Sequence, residues 1–477
     1  MTAATTFRYE QLAGLITAMI DNGTLAPGAR VPSVRTLSIR HGVSMSTALK
    51  TYRTLEDRGV LVARPQSGFY VAAPRNGAFA LPSMSRRRAK ASTVSISGAV
   101  AALLEYSSNR AFIPFGCAVP DGELLGSKRL DVALARAARR EGARYNVYGP
   151  PQGELSLRGE IAKRAMRVEH MLSPDDVVIT SGCTEALTLA LTAVAKPGDT
   201  IAVESPTYMG LLHTLEMLGL KAFELPVDPT RGIDVGALAQ LLATERVAAC
   251  AFASNFNNPL GSAMSEADKR ALLAVLARYD VPLIEDDVYG DLYFGRERPK
   301  PFVAFDGGAN TIYCSSFSKS LAPGYRIGWI TARGRTQRVI ERKLAFSLCG
   351  AVLPQIAVAE FLASGAYDTH LRSVRRVFQD NLVHMARVVE ASFPPETKMS
   401  RPVGGFVLWL ELPKHFDSRA LFDEALKQGI CFAPGDVFSA SRRFRNCLRL
   451  SAGHGWDDRI EDGVQRLGQL AREQLAQ

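Results

Sequence analysis

The chain has little of what locks secreted, metal-bound or membrane-embedded proteins together. Its seven cysteines (117, 183, 250, 314, 349, 431 and 447) are odd in number, scattered, and never spaced as CxxC. That argues against a disulfide frame or a zinc site, and for reduced thiols in a cytoplasmic compartment. There is no apolar run of about 18 residues, so no membrane span is expected. The opening residues lack a basic stretch followed by an apolar run, so no signal peptide is expected either. No GxGxxG follows an apolar run of strand type, which removes the usual dinucleotide fingerprint. No internal repeat is visible.

Acidic residues are scarce in one place only. Residues 1–100 hold 13 Lys/Arg against 4 Asp/Glu, and the remaining 377 hold 44 against 43. Nearly all of the formal net charge of +10 therefore sits on the first fifth of the chain. A basic segment joined to a neutral body reads as a nucleic-acid-binding module attached to something else. The length of 477 residues calls for two or three domains, and 47% hydrophobic with 22% charged residues is ordinary for a soluble globular protein.

Within residues 7–22, Leu12, Leu15, Ile16, Met19 and Ile20 recur at helical spacing. A second short helix is expected from about Pro32, in a first-turn position, to Arg40, ending at Gly42. A third, over 44–58, opens on hydroxyls suited to capping and buries Ala48, Tyr52 and Leu55. After Gly59, residues 60–64 and 69–73 alternate like a small hairpin. Two helices joined by a short Gly-containing turn, then a basic hairpin, make a winged helix-turn-helix. Its third helix would enter the major groove of double-stranded DNA. Ser44, Ser46, Thr47 and Lys50 would face bases or phosphates, and Arg35 and Arg64 are further candidates. The words Tyr9-Glu-Gln-Leu, Gly23-Thr-Leu-Ala-Pro-Gly-Ala-Arg-Val-Pro-Ser-Val-Arg35, Gly42-Val-Ser, Leu55-Glu-Asp-Arg-Gly-Val-Leu and Gly68-Phe-Tyr-Val71 resemble the GntR family of bacterial regulators, in that family's order.

The expected domains are a winged helix-turn-helix over 1–75, a linker over 76–110 and a body over 111–477. The linker holds Pro, Gly, Ser and the basic run Arg86-Arg-Arg-Ala-Lys90, with a short helix expected over 97–106. From residue 112, apolar runs at 177–180, 200–204, 248–253 and 281–285 alternate with helical stretches at 187–194, 209–218 and 266–279. That is the order of an α/β domain with a mainly parallel sheet. A smaller α+β unit is expected from about Arg375, with segments at 405–412, 421–428 and 447–451.

Four pieces of this body make chemical sense together. Thr180-Ser-Gly-Cys-Thr-Glu-Ala-Leu, between a strand and a helix, lets backbone N–H groups approach a phosphate. Asn258, fixed by Pro259, could donate to a phenolate oxygen. Asp286, at a strand end in Ile284-Glu-Asp-Asp-Val-Tyr289, could keep a heterocyclic nitrogen protonated and the ring an electron sink. Lys319 lies in Ser315-Ser-Phe-Ser-Lys-Ser-Leu-Ala-Pro-Gly-Tyr-Arg-Ile-Gly-Trp329, where a Schiff-base amine would find serines and a guanidinium for a phosphate. These are the parts that pyridoxal 5'-phosphate needs. Metal is the weaker reading, because no His/Asp partners stand at ligand spacing, and none is expected.

Residues 112–470 resemble the fold-type I, class I aminotransferases. The resemblance implies Lys319 and Asp286 as the catalytic pair. It assigns Cys183, Thr184, Ser316, Ser318 and Arg326 to a phosphate cup, Asn258 and Tyr289 to the ring oxygen, and Tyr208 to stacking on the ring. Tyr148, in Tyr145-Asn-Val-Tyr-Gly-Pro-Pro-Gln-Gly153, is similar to a tyrosine that reaches across a dimer interface. Arg449, in Leu448-Arg-Leu-Ser, resembles the arginine that forks onto a substrate carboxylate. Cys183 departs from the hydroxyl or small residue usual at its place, so its phosphate contact is expected through the backbone. A GntR-type head on such a body resembles the MocR-type regulators, which implies a homodimer. The leading expectation is a regulator that senses pyridoxal phosphate or a carboxylate-bearing amino compound at Lys319. The alternatives are a working transaminase with an accessory DNA-binding head, and a regulator that never binds the cofactor.

Overall fold

The computed structural model describes residues 8–21, 24–25, 28–57, 60–64, 68–71, 79–85, 90–109, 111–125, 128–305 and 308–476. The chain divides into two compact units, Met1–Ala78 and Phe79–Gln477.

In the first unit three helices, α1 (Arg8–Asp21), α2 (Val34–His41) and α3 (Met45–Asp57), are followed by the antiparallel pair β1 (Leu61–Arg64) and β2 (Gly68–Val71). Ala13, Ile16, Leu37, Ala48, Tyr52, Leu55, Leu61 and Val71 are all buried in one small core. Leu15 is 46% exposed, which corrects the expected stripe. At about 100° per residue it falls off the face that Ala13, Ile16 and Ile20 share. Helix α2 also starts later than expected. Ser33 is its N-cap and accepts from the Thr36 N–H, so Pro32 lies before the cap, not in the first turn. Gly42 ends α2 at φ 61°, a left-handed conformation that glycine adopts without a Cβ penalty. The expected hairpin turn at 65–67 and the strand end at 72–73 lie outside the described residues.

The second unit is built on a nine-stranded sheet. Its strands run in the order Ser92–Thr93, Lys221–Asp228, Thr200–Ser205, Ala249–Phe252, Leu283–Asp286, Thr311–Ser316, Ile327–Thr331, Val177–Ser181, with Gly232–Ile233 added to Lys221–Asp228. The central pairs are parallel, and Ile327–Thr331 runs antiparallel to both neighbours. The strands read as continuous apolar runs because both faces are covered. Ile201 and Val203 pack with the helix Gly182–Val194, whereas Ala202 between them packs with the helices Val235–Thr244 and Glu266–Tyr279. Each fully buried Leu or Ile in these layers contributes roughly 1.5–3 kcal/mol. The C-terminal part forms a four-stranded antiparallel sheet, in the order Lys398–Met399, Val407–Glu411, Cys447–Ser451, Ala433–Pro434. The helices Ala366–Ser392, Ser418–Lys427 and Asp458–Ala476 belong with it.

The expected linker over 76–110 needs correction beyond residue 78. Ser92–Thr93 is an edge strand of the main sheet, and Ser97–Ser108 is a helix whose Val100 and Leu103 are buried. Phe79, Val94 and Ile96 are buried as well, and Ser85 Oγ donates to the Ser205 carbonyl at 2.5 Å. Five apolar residues, scattered among serines and the basic run at 86–90, dock on the body. Residues 76–78 and 86–89 lie outside the described residues. No helix among the described residues is long and apolar enough to cross a membrane.

Candidate functional site

In open α/β sheets the carboxyl ends of the parallel strands and the loops after them form the natural ligand crevice. Here that edge brings together Cys183, Thr184, Tyr208, Asn258, Asp286, Tyr289, Ser316, Ser318, Lys319 and Arg326, all lining one cavity of about 170 Å³. Residues more than 100 apart in sequence meet there because each lies at a strand end, in the loop after it, or at the start of the helix that follows.

Lys319 sits in the loop between Thr311–Ser316 and Ile327–Thr331. Its Nζ donates to the Ala118 carbonyl at 2.6 Å. Burial pulls its pKa down to about 8, and positive Arg449 nearby works in the same direction while Asp286 opposes. Such an amine is deprotonated often enough near neutral pH to attack a carbonyl. Asp286 ends the strand Leu283–Asp286, and burial raises its pKa to about 6. The Val288 N–H and the Cys183 thiol both donate to its Oδ1, at 3.2 and 3.4 Å. Strand alternation sends the neighbouring acids the other way. Asp287 takes Arg298, Asn255 and Tyr313, and Glu285 takes Ser254 and the Phe302 N–H. Of three consecutive carboxylates, only Asp286 lines the cavity.

The phosphate side depends on missing side chains. Gly182, at φ 76°, opens the helix Gly182–Val194, and a Cβ on it would stand 2.5 Å from Nη2 of Arg326. Arg326 donates through Nη2 to the Ser181 carbonyl at 2.9 Å, which holds its guanidinium at the helix start. The free N–H groups of that first turn, the guanidinium and the hydroxyls of Ser316 and Ser318 suit a phosphate.

Several buried polar atoms here have no hydrogen-bond partner: Ser318 Oγ, Asn258 Oδ1, the Tyr289 hydroxyl, and Nε and Nη1 of Arg449. Buried polar groups without partners are rare, and they outline what a ligand must supply. A hydroxyl at the phosphate cup, a phenol able to donate to a ring oxygen, and an acid beside a ring nitrogen fit pyridoxal phosphate. Tyr208 lines the same cavity, and burial pushes its phenol up to about 12.

Arg449 does not line the cavity but stands against it. It is fully buried on Cys447–Ser451, donates through Nη2 to the Gly116 carbonyl, and lies with its Cζ 5.5 Å from the Phe438 ring centroid. Tyr289, Cys117 and Tyr208 are its main electrostatic neighbours. A buried guanidinium without a carboxylate is costly, and a carboxylate ligand would relieve it. Tyr148 is not brought to this cavity. It is 83% exposed and lines a surface cleft with Tyr145 and Cys349.

Sequence reasoning missed three participants. Glu204 is a buried acid on the cavity wall, and burial raises its pKa well above the usual carboxylate range. An acid inside the apolar run at 200–205 was the available signal. Cys117, a neighbour of both Lys319 and Arg449, carried no signal. The third is the Asp287–Arg298–Asp291 ion chain, which continues through the Tyr367 hydroxyl to Ser320, beside Lys319. Its members are scattered in sequence and legible only in the fold.

On the first unit, Ser44 Oγ caps α3 by accepting from the Thr47 N–H at 3.1 Å and lies 2.8 Å from both Ser46 Oγ and Thr47 Oγ1. Ser44, Ser46, Lys50 and Arg35 are exposed or partly so, and Thr47 is half-buried. The Lys50 Nζ stands 4.2 Å from the Tyr9 ring centroid. The Arg64 side chain lies outside the described residues.

Fold and site together define a class: a helix-turn-helix module joined to an aminotransferase-type body. Residues 8–71 match the gntR family of bacterial regulatory proteins, and residues 120–467 match aminotransferase class I and II. The chain is 38% identical to the HTH-type transcriptional regulator YdcR of Escherichia coli (strain K12), over 98% of this chain and 100% of that one. It is 36% identical to the regulator YjiR of the same strain, over 97% and 98%. The body resembles the crystal structure of LysN, an α-aminoadipate aminotransferase of Thermus thermophilus complexed with N-(5'-phosphopyridoxyl)-L-leucine. The TM-score is 0.73 and the identity 29%, covering 80% of this chain and all of that one. The protein belongs to the GntR-headed regulators with an aminotransferase-like body, the MocR-type architecture.

Proposed function

We propose that the protein is a transcriptional regulator whose body binds pyridoxal phosphate at Lys319 and reports a carboxylate-bearing amino compound to the DNA-binding head. The observation that carries this is Arg449: a buried guanidinium with two unpartnered nitrogens beside the Lys319 cavity, in a chain whose excess positive charge lies on the head. When bound, the cofactor supplies an aldehyde that condenses with amines and a ring that draws electrons from them. The chain's own residues do the rest. Lys319 presents a readily deprotonated amine, and Asp286 holds a proton on the ring nitrogen. Asn258 and Tyr289 would meet the ring oxygen, and Tyr208 would lie against the ring. The backbone at Cys183 and Thr184 holds the phosphate together with Ser316, Ser318 and Arg326. Arg449 selects ligands with a carboxylate.

On the head, Arg35, Ser46, Thr47, Lys50 and Arg64 are the proposed DNA contacts, and Ser44 adds a hydroxyl already engaged as a cap. A second copy of the chain is the proposed partner that gives Tyr148 a cavity to serve, and the cytoplasm is the proposed location. The ligand changes DNA binding only through a difference in its affinity for two states of the protein. The test is a screen of amines, with and without a carboxylate, read by the visible absorbance of cofactor-loaded protein and by DNA affinity. A spectral response without any change in DNA affinity would sink the regulatory reading.

The second reading, a working transaminase, is favoured by the assembled Lys319, Asp286 and Arg449. Rapid transamination with common 2-oxo acids would establish it.

A further inference from the structure

Cys183 stands where a hydroxyl or small residue was expected, and its thiol does not stand idle. It opens the helix on the phosphate side of the cavity and donates to Oδ1 of Asp286, at the end of a strand 103 residues further on. The Val288 N–H donates to the same oxygen. With both donors on Oδ1, the other carboxylate oxygen is left for the cavity that Asp286 lines. A second sulfur stands at this carboxylate's strand register: Cys314, fully buried on the neighbouring strand as the partner of Asp286.

We propose that Cys183 is a positioning residue: its thiol turns the Asp286 carboxylate so that Oδ2 meets the ring nitrogen of the cofactor. This rests on the reading of the cavity as a pyridoxal phosphate site. A thiol is a weak donor, so it steers the carboxylate while withdrawing little of its charge. A hydroxyl would steer it too, but would hold more of that charge for itself. Burial keeps the Cys183 thiol protonated, with its pKa well above the usual value, so it remains a donor at neutral pH. Lys319, Asp287, Glu204, Tyr208, Tyr289 and Cys314 are the other ionisable groups that act on Asp286.

The test compares full-length, cofactor-loaded wild type with Cys183→Ala and Cys183→Ser. Three properties are read: cofactor retention, the pH midpoint of the visible absorbance band, and the melting temperature. Loss of the donor should weaken retention about fivefold, the worth of one modest hydrogen bond. It should also raise the midpoint by about 0.5 in pH or more, because a ring proton held less firmly draws fewer electrons from the nitrogen of Lys319. Cys183→Ser should restore retention to within about twofold. A merely structural role would lower the melting temperature of Cys183→Ala and leave its midpoint in place, which would overturn the proposal. Unchanged retention and midpoint would overturn it as well. Absence of a visible band from the wild type itself would instead defeat the underlying reading of the cavity, and this proposal with it.

Discussion

The two units hold their chemistry in opposite ways. On the head, the residues proposed to touch DNA are largely exposed, and the hydroxyls at the start of α3 already satisfy one another. In the body, the residues proposed to touch the ligand are buried or half-buried apart from Thr184 and Arg326, and several of their polar atoms have no partner. Surface charge attracts phosphate with little structural strain, so each contact on the head is worth little alone and much in sum. A buried unpartnered group carries a desolvation cost that only the right ligand removes, so each contact in the body is worth a great deal. The proposed regulator, which would choose one small molecule yet slide along a long polymer, would need both kinds of surface.

Substitutions should separate the two units by the size of their effects. The largest is expected from Lys319→Ala, which should abolish the visible band of the cofactor-loaded protein and all response to amines; a band that persisted would place the reactive amine elsewhere. Arg449→Ala comes next. Affinity for a carboxylate-bearing amine should fall at least about 30-fold, as when one partner of a buried charge pair is removed, while the cofactor stays bound. Titration of the band with matched amines, with and without the carboxylate, reads this directly. Gly182→Ala should destabilise the body by about 1–3 kcal/mol in thermal melts, because alanine must adopt φ 76° with its Cβ against Arg326. It should also weaken cofactor binding. On the head, Lys50→Ala should lower DNA affinity only severalfold and reduce the salt slope by about 1. If it removed DNA binding altogether, the picture of many small contacts would fail.

A pH experiment sharpens the same contrast. Burial lowers the Lys319 pKa to about 8, so capture of free cofactor should accelerate as pH rises from about 6 and level off above about 8. The Asp286 carboxylate favours the charged ammonium. Asp286→Asn should therefore move the inflection down and speed capture near neutral pH. Stopped-flow absorbance measures both. An inflection left near the ordinary lysine value, about 10, would mean that Lys319 is not held in a desolvating pocket.

Much of this was legible in one dimension, and the exceptions have physical causes. The alternation of apolar runs and helices announced the parallel sheet, because strands covered on both faces must be apolar throughout. Asp286 could be singled out because it ends a strand, and Lys319 because it lies in the loop between two strands, both among unusual neighbours. Residues 79–96 were read as linker because scattered serines and the basic run at 86–90 break up the apolar residues that dock, such as Val94 and Ile96, whereas the short helix expected over 97–106 is present. Leu15 was misplaced because apolar spacing does not say which residues at the margin of a helical stripe are covered. The Asp287–Arg298–Asp291 chain and the Cys183–Asp286 bond were invisible, since both depend on which strand ends the topology brings together.

In the proposed regulator, ligand at the buried site changes DNA binding at the exposed one. The direct measurement is the affinity of cofactor-loaded protein for a DNA fragment it has selected from a random pool, with and without a saturating carboxylate-bearing amine found by the absorbance screen. Wild type and Lys319→Ala are measured side by side. At least about a fivefold change in wild-type affinity is predicted, within the usual range of coupling between sites, and none in Lys319→Ala. Equal affinities in wild type with and without the amine, while the absorbance shows the site filled, would contradict it.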